Sequence, residues 1–306
     1  MKVCYLVLAY NNFIDTVETL ECIRNQEGFP AEIQILVVDN NSKDEFSVPL
    51  KNWCENNTIK YIYRNINDGY AGGNNFGWEL IKDKYKYIFV VNNDIVINNS
   101  KVTLEICKIL DSDETIGIAG PVIYFGNNEK LASVRGLRDL YFSHLFEHKF
   151  NIYNKYEDCD SVIGCFLGIN PKCIGTMELF DDSFFMYGEE LNLGLRTWKN
   201  GYRVVHLTDD EYSVYHKGGA NPYGKATKWK FYLSMRNSVL CVRQLSRNRF
   251  FYLLILLFSS LRTFFNFSYP FRYRRFSMKG FFSGLRLLRK NKEEILLDAK
   301  NMIEKI

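Results

Sequence analysis

The first 125 residues alternate between short apolar runs and segments with helical spacing, and this alternation limits the fold more than any other feature. The apolar runs cover residues 3–10, 33–39, 59–64, 85–94 and 116–124. They are continuous and rich in β-branched residues, which is typical of parallel strands buried on both faces. Helical spacing covers residues 16–25, 72–84 and 101–110. This repetition predicts an α/β doubly wound sheet, in which ligands bind beyond the carboxyl ends of the strands.

Composition excludes several classes of protein. With 306 residues, of which 47% are apolar, the chain can bury a large core and is not a disordered protein. Its eight cysteines are scattered without a CxxC pair, which argues against a zinc site or a secreted disulfide scaffold and favours reduced thiols in the cytosol. The N-terminal MKVCYLVLAYNN lacks a small-residue cleavage site after its apolar part, so we expect a buried first strand rather than a signal peptide.

The charge is distributed unevenly along the chain. Residues 228–306 hold 17 Lys and Arg but only 4 Asp and Glu, a net charge of +13, whereas residues 1–227 hold 22 and 31, a net charge of −9. An acidic body followed by a basic, aromatic segment indicates that the two parts meet different partners.

Polar residues follow three of the predicted strands. The first strand ends at Ala9, Tyr10 and Asn11, the second at Asp39, and the fourth at Asn92, Asn93 and Asp94. Any one of these groups is also what an ordinary turn or helix cap requires. Because they meet at one edge of the predicted sheet, we expect a binding site there.

A glycine-rich segment, NDGYAGGNNFG, covers residues 67–77. It is not a dinucleotide fingerprint, because that motif closes the first strand of a βαβ unit, and the first βα turn of this chain has no glycine. Glycines that open a helix allow close approach of a ligand, and a helix N-terminus favours an anion. The alternative is a tight loop with no ligand.

The segment SFFMYGEELNLGLR at residues 183–196 brings aromatic residues up to two adjacent carboxylates, Glu189 and Glu190. A helical stripe follows them, so the two acids are predicted to lie at a helix start. The helix dipole keeps such a carboxylate ionised and able to accept a proton. The alternative is an acidic first turn above an ordinary aromatic core.

Taken together and in this order, these motifs resemble glycosyltransferase family 2 over residues 1–237. These are inverting enzymes of the GT-A fold, among them rhamnosyltransferase-like enzymes of bacterial surface polysaccharides. The resemblance implies that Glu190 is the catalytic base with Glu189 in support, and that Asp94 and His216 bind a metal. Phe184, Phe185 and Tyr187 would stack on sugar rings. The positions implied to bind the nucleotide-sugar are Ala9, Tyr10, Asn11, Asp39, Asp68, Gly72, Asn75, Asn92 and Asn93.

Two residues depart from the family pattern. Asn92 stands where the family's DxD motif commonly has its first acid, so we expect weaker affinity for the implied Mg²⁺ or Mn²⁺, because hard cations prefer charged oxygen ligands. Glu190 stands where Asp is usual, which lengthens the side chain of the base by one methylene. The Gly-rich loop after His216 is expected to fold back over the site.

The basic segment contains the apolar run FFYLLILLFSSL at residues 250–261, which is too short for the roughly 20 residues that span a bilayer. Together with the arginines and an amphipathic piece at 281–290, it predicts helices in the membrane interface, attracted to anionic lipids. Packing against the domain, or a homodimer, is the alternative; no motif indicates nucleic-acid binding.

We therefore divide the chain into a GT-A domain (1–227) and a membrane-interface region (228–306), and expect a chain cut at 249 to fold.

The predicted function is inverting transfer of a hexose or deoxyhexose from a UDP- or dTDP-sugar to a saccharide acceptor, most simply a lipid-linked one. The predicted location is the cytoplasmic face of the cell membrane. One rival is a nucleotidyltransferase, but its Gly-rich basic loop after strand one is missing from Ala9-Tyr10-Asn11. Another is a membrane-docked sugar-nucleotide-binding protein without turnover, which Asn92 permits and Glu190 disfavours.

Overall fold

The computed structural model describes residues 2–27, 33–125, 132–134, 153, 155–218, 228–245, 248–267 and 271–304. The helices of these residues are α1 (Phe13–Arg24), α2 (Asp44–Asn56), α3 (Gly69–Ile81), α4 (Val102–Ser112), α5 (Glu189–Lys199), α6 (Lys228–Leu240), α7 (Arg249–Phe265), α8 (Phe271–Leu287) and α9 (Lys292–Glu304). The strands are β1 (Val3–Ala9), β2 (Ile33–Asn40), β3 (Lys60–Arg64), β4 (Tyr87–Asn92), β5 (Ile95–Ile97), β6 (Ile116–Gly120), β7 (Val122–Phe125), β8 (Ala132–Val134), β9 (Tyr156–Asp158), β10 (Phe166–Ile169), β11 (Arg203–Leu207) and β12 (Ser213–His216).

The main sheet is mixed and doubly wound, as predicted. Its strand order is β3-β2-β1-β4-β10-β6-β11-β9, and a smaller sheet has the order β5-β12-β7-β8. Strands β2, β1 and β4 are parallel, whereas β10 is antiparallel to both β4 and β6. The strand expected at 116–124 is interrupted at Pro121, which lacks an N–H, so β6 joins the main sheet and β7 joins the smaller one.

Alternate residues of β1 enter two separate core layers. Val3, Tyr5 and Val7 pack in one cluster with residues of α1, α2 and α4. Cys4 and Leu6 pack in a second cluster with residues of α3 and α5. All seven residues of β1 are buried, which explains why its sequence is continuously apolar rather than alternating. The helix α2, which our sequence analysis did not identify, contributes to the first layer.

The glycines of the 67–77 segment lie inside a helix rather than in a loop. Helix α3 begins at Gly69, three residues before the expected start. A Cβ added at Gly73 would come within 2.5 Å of Leu8, and one added at Gly77 within 2.3 Å of Leu6. These two glycines therefore allow α3 to pack closely against β1.

The C-terminal helices α6–α9 pack against the segment that precedes α5. Phe184 shares a buried cluster with Tyr252 and Ile295, and Phe185 shares another with Leu233. The expectation that Phe184 and Phe185 stack on sugar rings is wrong, because they are only 2% and 9% exposed. The apolar run at 250–261 forms most of helix α7. Among the described residues, no helix is both long and apolar enough to span a membrane.

Candidate active site

The carboxyl ends of β1, β2 and β4 lie side by side. Ala9 is opposite Asp39 in the pairing of β1 with β2, and Leu8 is opposite Asn92 in the pairing of β1 with β4. Because both pairings are parallel, the polar residues that follow these strands emerge at the same edge of the sheet. The predicted convergence of the three strand ends is confirmed.

Asp39 is fully buried and organises the turn after β2. Its carboxylate accepts hydrogen bonds from the backbone N–H of Ser42 at 2.8 Å and from the Tyr61 hydroxyl at 2.7 Å. Asn11 has a left-handed backbone, with φ of 48°, and its backbone N–H donates to Ser42 Oγ at 2.8 Å. The neighbouring Tyr10 is 50% exposed, so its ring is available for a base to stack on. Binding of the nucleotide by these residues stays a prediction.

Asp68 belongs to a hydrogen-bonded network that joins three elements. It pairs with Arg64 at 2.9 Å and lies 3.5 Å from Lys300 of α9. Arg64 also donates to Asn40 Oδ1 at 3.0 Å, and the Asn40 amide donates to Asn67 Oδ1 at 2.9 Å. The network fixes the ends of β2 and β3 relative to the start of α3, and it brings the C-terminal helix to the edge of the predicted donor site.

Three other residues predicted to bind the donor make contacts within the protein. Asn75 exchanges two 2.8 Å hydrogen bonds with the backbone of Phe180. Asn93 donates to Thr16 Oγ1 at 2.8 Å. A Cβ added at Gly72 would lie 2.5 Å from that of Asp68. In this conformation they brace the site, and their contact with a donor stays a prediction.

Asn92, Asp94 and His216 converge at the end of β4. His216 Nε2 lies 3.0 Å from Asp94 Oδ1 and 3.2 Å from Asn92 Nδ2. One ring nitrogen cannot accept from the amide and donate to the carboxylate at the same time. Asn92 Oδ1 is also buried, with no hydrogen-bond partner among the described residues. A buried amide oxygen without a partner, beside an imidazole that contacts a carboxylate, is an arrangement suited to a shared cation.

Lys217 and Gly218 complete this corner, and our sequence analysis did not single them out. The Lys217 N–H donates to the Asp94 carbonyl at 2.9 Å, and its ammonium pairs with Asp15 at 2.8 Å and with Glu18. A Cβ added at Gly218 would lie 2.0 Å from Asp94 Oδ2. The sequence signal that could have identified them is the run HKGG at residues 216–219. Residues 219–227, which hold the rest of the expected Gly-rich loop, lie outside the described residues.

Glu189 and Glu190 open α5, as predicted. The preceding Gly188 has φ of 83°, a left-handed conformation that favours glycine. Burial raises the pKa of both carboxyls, and the charge of Glu190 raises the pKa of Glu189 further. Glu189 is 5% exposed, and its Oε2 has no hydrogen-bond partner among the described residues. Both carboxyls therefore hold their protons to higher pH than an exposed glutamate does, and Glu189 is the more deeply buried of the two.

Besides burial, the charges of Asp94 and Glu190 raise the pKa of the same two buried side chains, Cys165 and Tyr70. The pKa of Cys165 is raised by burial and by the charges of Asp94 and Glu190. The pKa of Tyr70 is raised by burial, then by the two glutamates, with a smaller effect of Asp94. Tyr70 donates to the Gly164 carbonyl at 2.7 Å, and a Cβ at Gly164 would lie 3.5 Å from Glu190 Cδ. Asp94, predicted to bind the metal on the leaving group, and Glu190, predicted to be the base, are therefore both close to Tyr70 and Cys165.

The turn before α5 has an unusual backbone. Phe185, Tyr187 and Gly188 have φ values of 64°, 70° and 83°. For the two residues with side chains, such conformations cost about 1–3 kcal/mol each and persist only where the surroundings enforce them. Tyr187 stacks on Trp229 of α6, with ring centroids 5.6 Å apart. Of the aromatics expected to stack on sugars, only Tyr187 lies outside the fully buried core.

A separate acidic cluster lies near the C-terminal helices. Glu178, Asp181 and Asp182 offer carboxylate atoms within 4.8 Å of one another. Lys292 of α9 pairs with Glu178 and lies 3.7 Å from each aspartate. The cluster therefore binds a lysine of the same chain and connects α9 to the turn before α5.

Comparison with known sequences gives one family and one curated relative. The profile of the family described as Glycosyl transferase family 2 matches residues 4–174. The low-salt glycan biosynthesis hexosyltransferase Agl10 of Haloferax volcanii is 37% identical over 71 residues, which are 22% of this chain. The match covers only 22% of the length of that relative.

Solved structures resemble the whole described chain. Residues 1–349 of S. aureus TarS superpose with a TM-score of 0.62 at 15% identity, covering 98% of this chain and 87% of that one. The mannosyltransferase PcManGT from Pyrobaculum calidifontis, in complex with GDP-Man and Mn²⁺, superposes with a TM-score of 0.58 at 14% identity, covering 98% and 73%. At such identities the likeness concerns the fold, and it agrees with the GT-A type expected from the sequence.

Proposed function

The chain belongs to glycosyltransferase family 2, and on that premise we propose that it is an inverting hexosyltransferase. It would move a hexose or deoxyhexose from a nucleoside diphosphate to a hydroxyl of a saccharide. The observation that carries the proposal is that the end of β4 and Glu190 both lie against residues 164 and 165: the Asn92 N–H donates to the Cys165 carbonyl at 3.0 Å, and a Cβ at Gly164 would lie 3.5 Å from Glu190 Cδ. A phosphate-side group and a base at one site are what a single-displacement transfer requires.

The bond changes of this reaction balance with one base. The bond between sugar C1 and the diphosphate oxygen breaks, and its electron pair leaves with the nucleoside diphosphate. The acceptor oxygen bonds to C1 from the opposite face, which inverts the configuration. Glu190 accepts the hydroxyl proton, and the N-terminus of α5 stabilises its ionised form before the transfer. Glu189, which is more buried, supports the turn that carries Glu190.

The residues at the end of β4 fit a divalent cation. Asp94 and the Asn92 amide offer oxygen ligands suited to Mg²⁺ or Mn²⁺, and His216 offers a ring nitrogen. When bound, the ion would offset the negative charge of the diphosphate. The Mn²⁺ in the PcManGT complex supports this assignment. One carboxylate fewer than a DxD site implies weaker affinity.

The donor is proposed to be a UDP- or dTDP-sugar. TarS, whose fold this chain shares, has been solved in complex with UDP and with UDP-GlcNAc, which supports a uridine nucleotide. Tyr10, Asn11 and Asp39 would bind the base and ribose, while Asp68 would flank the same nucleotide. The exposed ring of Tyr10 and the hydrogen bonds that fix Asn11 give this half of the site its shape before a donor arrives.

The acceptor is proposed to be a lipid-linked saccharide at the inner face of the cell membrane, in surface glycan synthesis. Phe251, Phe258 and Phe265 recur every seven residues on one face of α7 and are 61%, 66% and 61% exposed. Arg262 on the same helix is also exposed. Exposed aromatics with cationic neighbours fit an anionic lipid surface. The name of Agl10, a glycan biosynthesis hexosyltransferase, supports the pathway class.

The direct test incubates the protein with UDP-, dTDP- and GDP-sugars, with Mn²⁺ and without, and measures release of the nucleoside diphosphate. Slow hydrolysis of one donor, accelerated by a saccharide acceptor, is the expected result. Tight binding without any release would instead indicate a sugar-nucleotide-binding protein. Release of pyrophosphate from a nucleoside triphosphate and a sugar phosphate would indicate a nucleotidyltransferase.

The Glu190→Gln variant tests the base. Gln keeps the shape but cannot accept the proton, so kcat should fall by about 10²-fold or more, while donor binding stays near that of the wild type. Glu189→Gln, at the adjacent position, is the matched control and should lose much less. Near-normal turnover of Glu190→Gln would refute the assignment.

A further inference from the structure

Two adjacent polar residues of α6, Arg236 and Asn237, are fully buried against the turn that carries the proposed base. Both are 0% exposed, and they stand in a helix whose other buried residues include Leu233, Val239 and Leu240. A buried guanidinium and a buried amide are costly unless they are fully hydrogen-bonded. Their partners therefore show what this pair does.

Among the described residues, the acceptors of the Asn237 amide all belong to the turn before α5. Its Nδ2 lies 3.2 Å from the Phe184 carbonyl, 3.0 Å from that of Met186 and 2.6 Å from that of Tyr187. These carbonyls belong to the stretch in which Phe185 and Tyr187 have positive φ. Asn237 also sets the distance between the turn and α6, because a Cβ at Gly188 would lie 3.3 Å from its own.

Arg236 orients this amide and adds a second set of donors. Its Nε donates to Asn237 Oδ1 at 2.8 Å, which directs the Asn237 NH₂ group toward the turn. Its Nη2 donates to the carbonyls of Ser183 at 3.3 Å and Phe184 at 3.2 Å. Its Nη1 pairs with Asp298 of α9 at 3.2 Å, so the guanidinium links α6, α9 and the turn.

From these contacts we propose that Arg236 and Asn237 are positioning residues for Glu190, an inference that rests on the proposed function. Together they donate to four of the five backbone carbonyls between 183 and 187, all except that of Phe185. Their hydrogen bonds offset the unfavourable backbone at Phe185 and Tyr187. The direction in which the chain leaves Gly188, and hence where Glu190 lies relative to Gly164, depends on this pair.

The structure supplies selective variants and a matched control. Asn237→Asp keeps the oxygen that accepts from Arg236 but turns the donor into an acceptor facing three carbonyls. Arg236→Lys keeps the positive charge near Asp298 but loses the planar fork. Arg243→Lys is the control, since Arg243 also donates to backbone carbonyls, those of Leu287, Leu288 and Lys290 where α8 ends and α9 follows, and its hydrogen bonds to described residues do not reach the turn.

The first measurement is hydrogen–deuterium exchange of peptides that cover residues 183–191, at a temperature where circular dichroism shows every variant folded. Exchange should increase at least about tenfold in Asn237→Asp and Arg236→Lys, and stay near the wild-type rate in Arg243→Lys. No substrate is needed for this measurement. Where Asn237→Asp does not fold, Arg236→Lys and its control decide the result.

The second measurement uses the sugar nucleotide that the donor panel identifies. In the two α6 variants kcat should fall about tenfold or more while the Kd for that donor stays within about twofold, because the donor edge lies on other strands. Arg243→Lys should keep both values. Equal changes of kcat in Asn237→Asp, Arg236→Lys and the control Arg243→Lys would overturn the inference, and so would unchanged hydrogen–deuterium exchange at residues 183–191. If instead Glu190→Gln retains turnover while exchange changes as expected, the base assignment fails and the bracing of the turn stands.

Discussion

Glu189 and Glu190 are adjacent in the chain but lie in different environments. Glu189 is 5% exposed and has one carboxylate oxygen without a partner among the described residues, whereas Glu190 is only partly buried. Burial and the neighbouring charge raise the pKa of Glu189 well above its ordinary range. The two acids at this helix start therefore differ in burial, which agrees with the proposal that Glu190 is the base and Glu189 its support.

The buried Glu189 makes stability depend on pH. Its pKa is higher in the folded chain than in the unfolded chain, so the folded chain holds the proton more tightly, and stability falls as pH rises above the unfolded value. Glu189→Gln removes this titration. The variant should gain Tm relative to the wild type by about 2 °C or more at pH 8, and gain less at pH 5. Thermal melts at both values test this; an equal change at both would contradict it.

Asp94 is the single carboxylate at the proposed metal site. Asp94→Asn should weaken binding of UDP in the presence of Mn²⁺ by about tenfold or more, since the ion loses its charged ligand. Binding of uridine, which lacks the diphosphate, should change little and serves as the control. Titration calorimetry of both ligands, with and without chelator, measures the effect. Unchanged UDP affinity in the variant would show that no metal acts through Asp94.

At the scale of elements, α9 contributes to the site although it is the last helix described. It contributes Asp298 to Arg236, Lys300 to Asp68, and Lys292 to the acidic cluster. Our sequence analysis divided the chain at residue 228 and expected a chain cut at 249 to fold. That division stays a prediction, and these contacts argue against a cut that leaves Arg236 buried without Asp298.

Asp298→Ala tests this dependence at one position. The change leaves the buried Arg236 guanidinium without its carboxylate, and breaking such a pair costs about 3 kcal/mol or more. The Tm should therefore fall by roughly 6 °C or more. Glu293→Ala is the control, because Glu293 lies on the same helix but is exposed. A loss no larger than that of the control would mean that α9 does not stabilise Arg236.

For the molecule as a whole, the most exposed phenylalanines are concentrated between residues 250 and 282. Phe250, Phe251, Phe258, Phe265, Phe267, Phe271 and Phe282 are all more than half exposed. All lie in α7, α8 or the turn between them, in the region with a net charge of +13. Exposed aromatic residues of this kind are typical of an interaction site, and the positive charge around them supports the proposal that the partner is an anionic lipid surface.

Vesicle flotation tests the membrane proposal. The intact protein should float with vesicles of phosphatidylglycerol and phosphatidylethanolamine, and high salt should release it only in part, because insertion of apolar side chains is not screened. A variant with Ser at Phe251, Phe258 and Phe265 should lose most of this binding. Val48→Ser, at an exposed position of α2, is the control. A protein that ignores these vesicles but dimerises through α7 would show that the surface binds a second copy.

Local sequence patterns were sufficient for the parallel half of the main sheet and for the edge that carries the candidate site. The buried runs predicted β1, β2, β3 and β4, because parallel strands covered on both faces must be continuously apolar. Polar residues at their ends predicted the edge at which Asp39, Asn92 and Asp94 lie. The start of α5 followed from Gly188 and the two glutamates. Each of these inferences depends on residues close together in the chain.

Only the tertiary structure decided which distant residues complete the site. Asp298 reaches Arg236 across 62 positions, whereas the pairing of His216 with Asp94, across 122 positions, was already implied by the family resemblance. Nothing in the local pattern distinguishes Asp298 from a solvated charge. The sequence likewise predicted that Phe184 and Phe185 stack on sugar rings, whereas the structure shows that the C-terminal helices bury them. The physical reason is that composition and periodicity report how a segment buries its own apolar residues. Which polar groups meet is set by how the helices pack, where a buried guanidinium or amide must find its partners from any part of the chain.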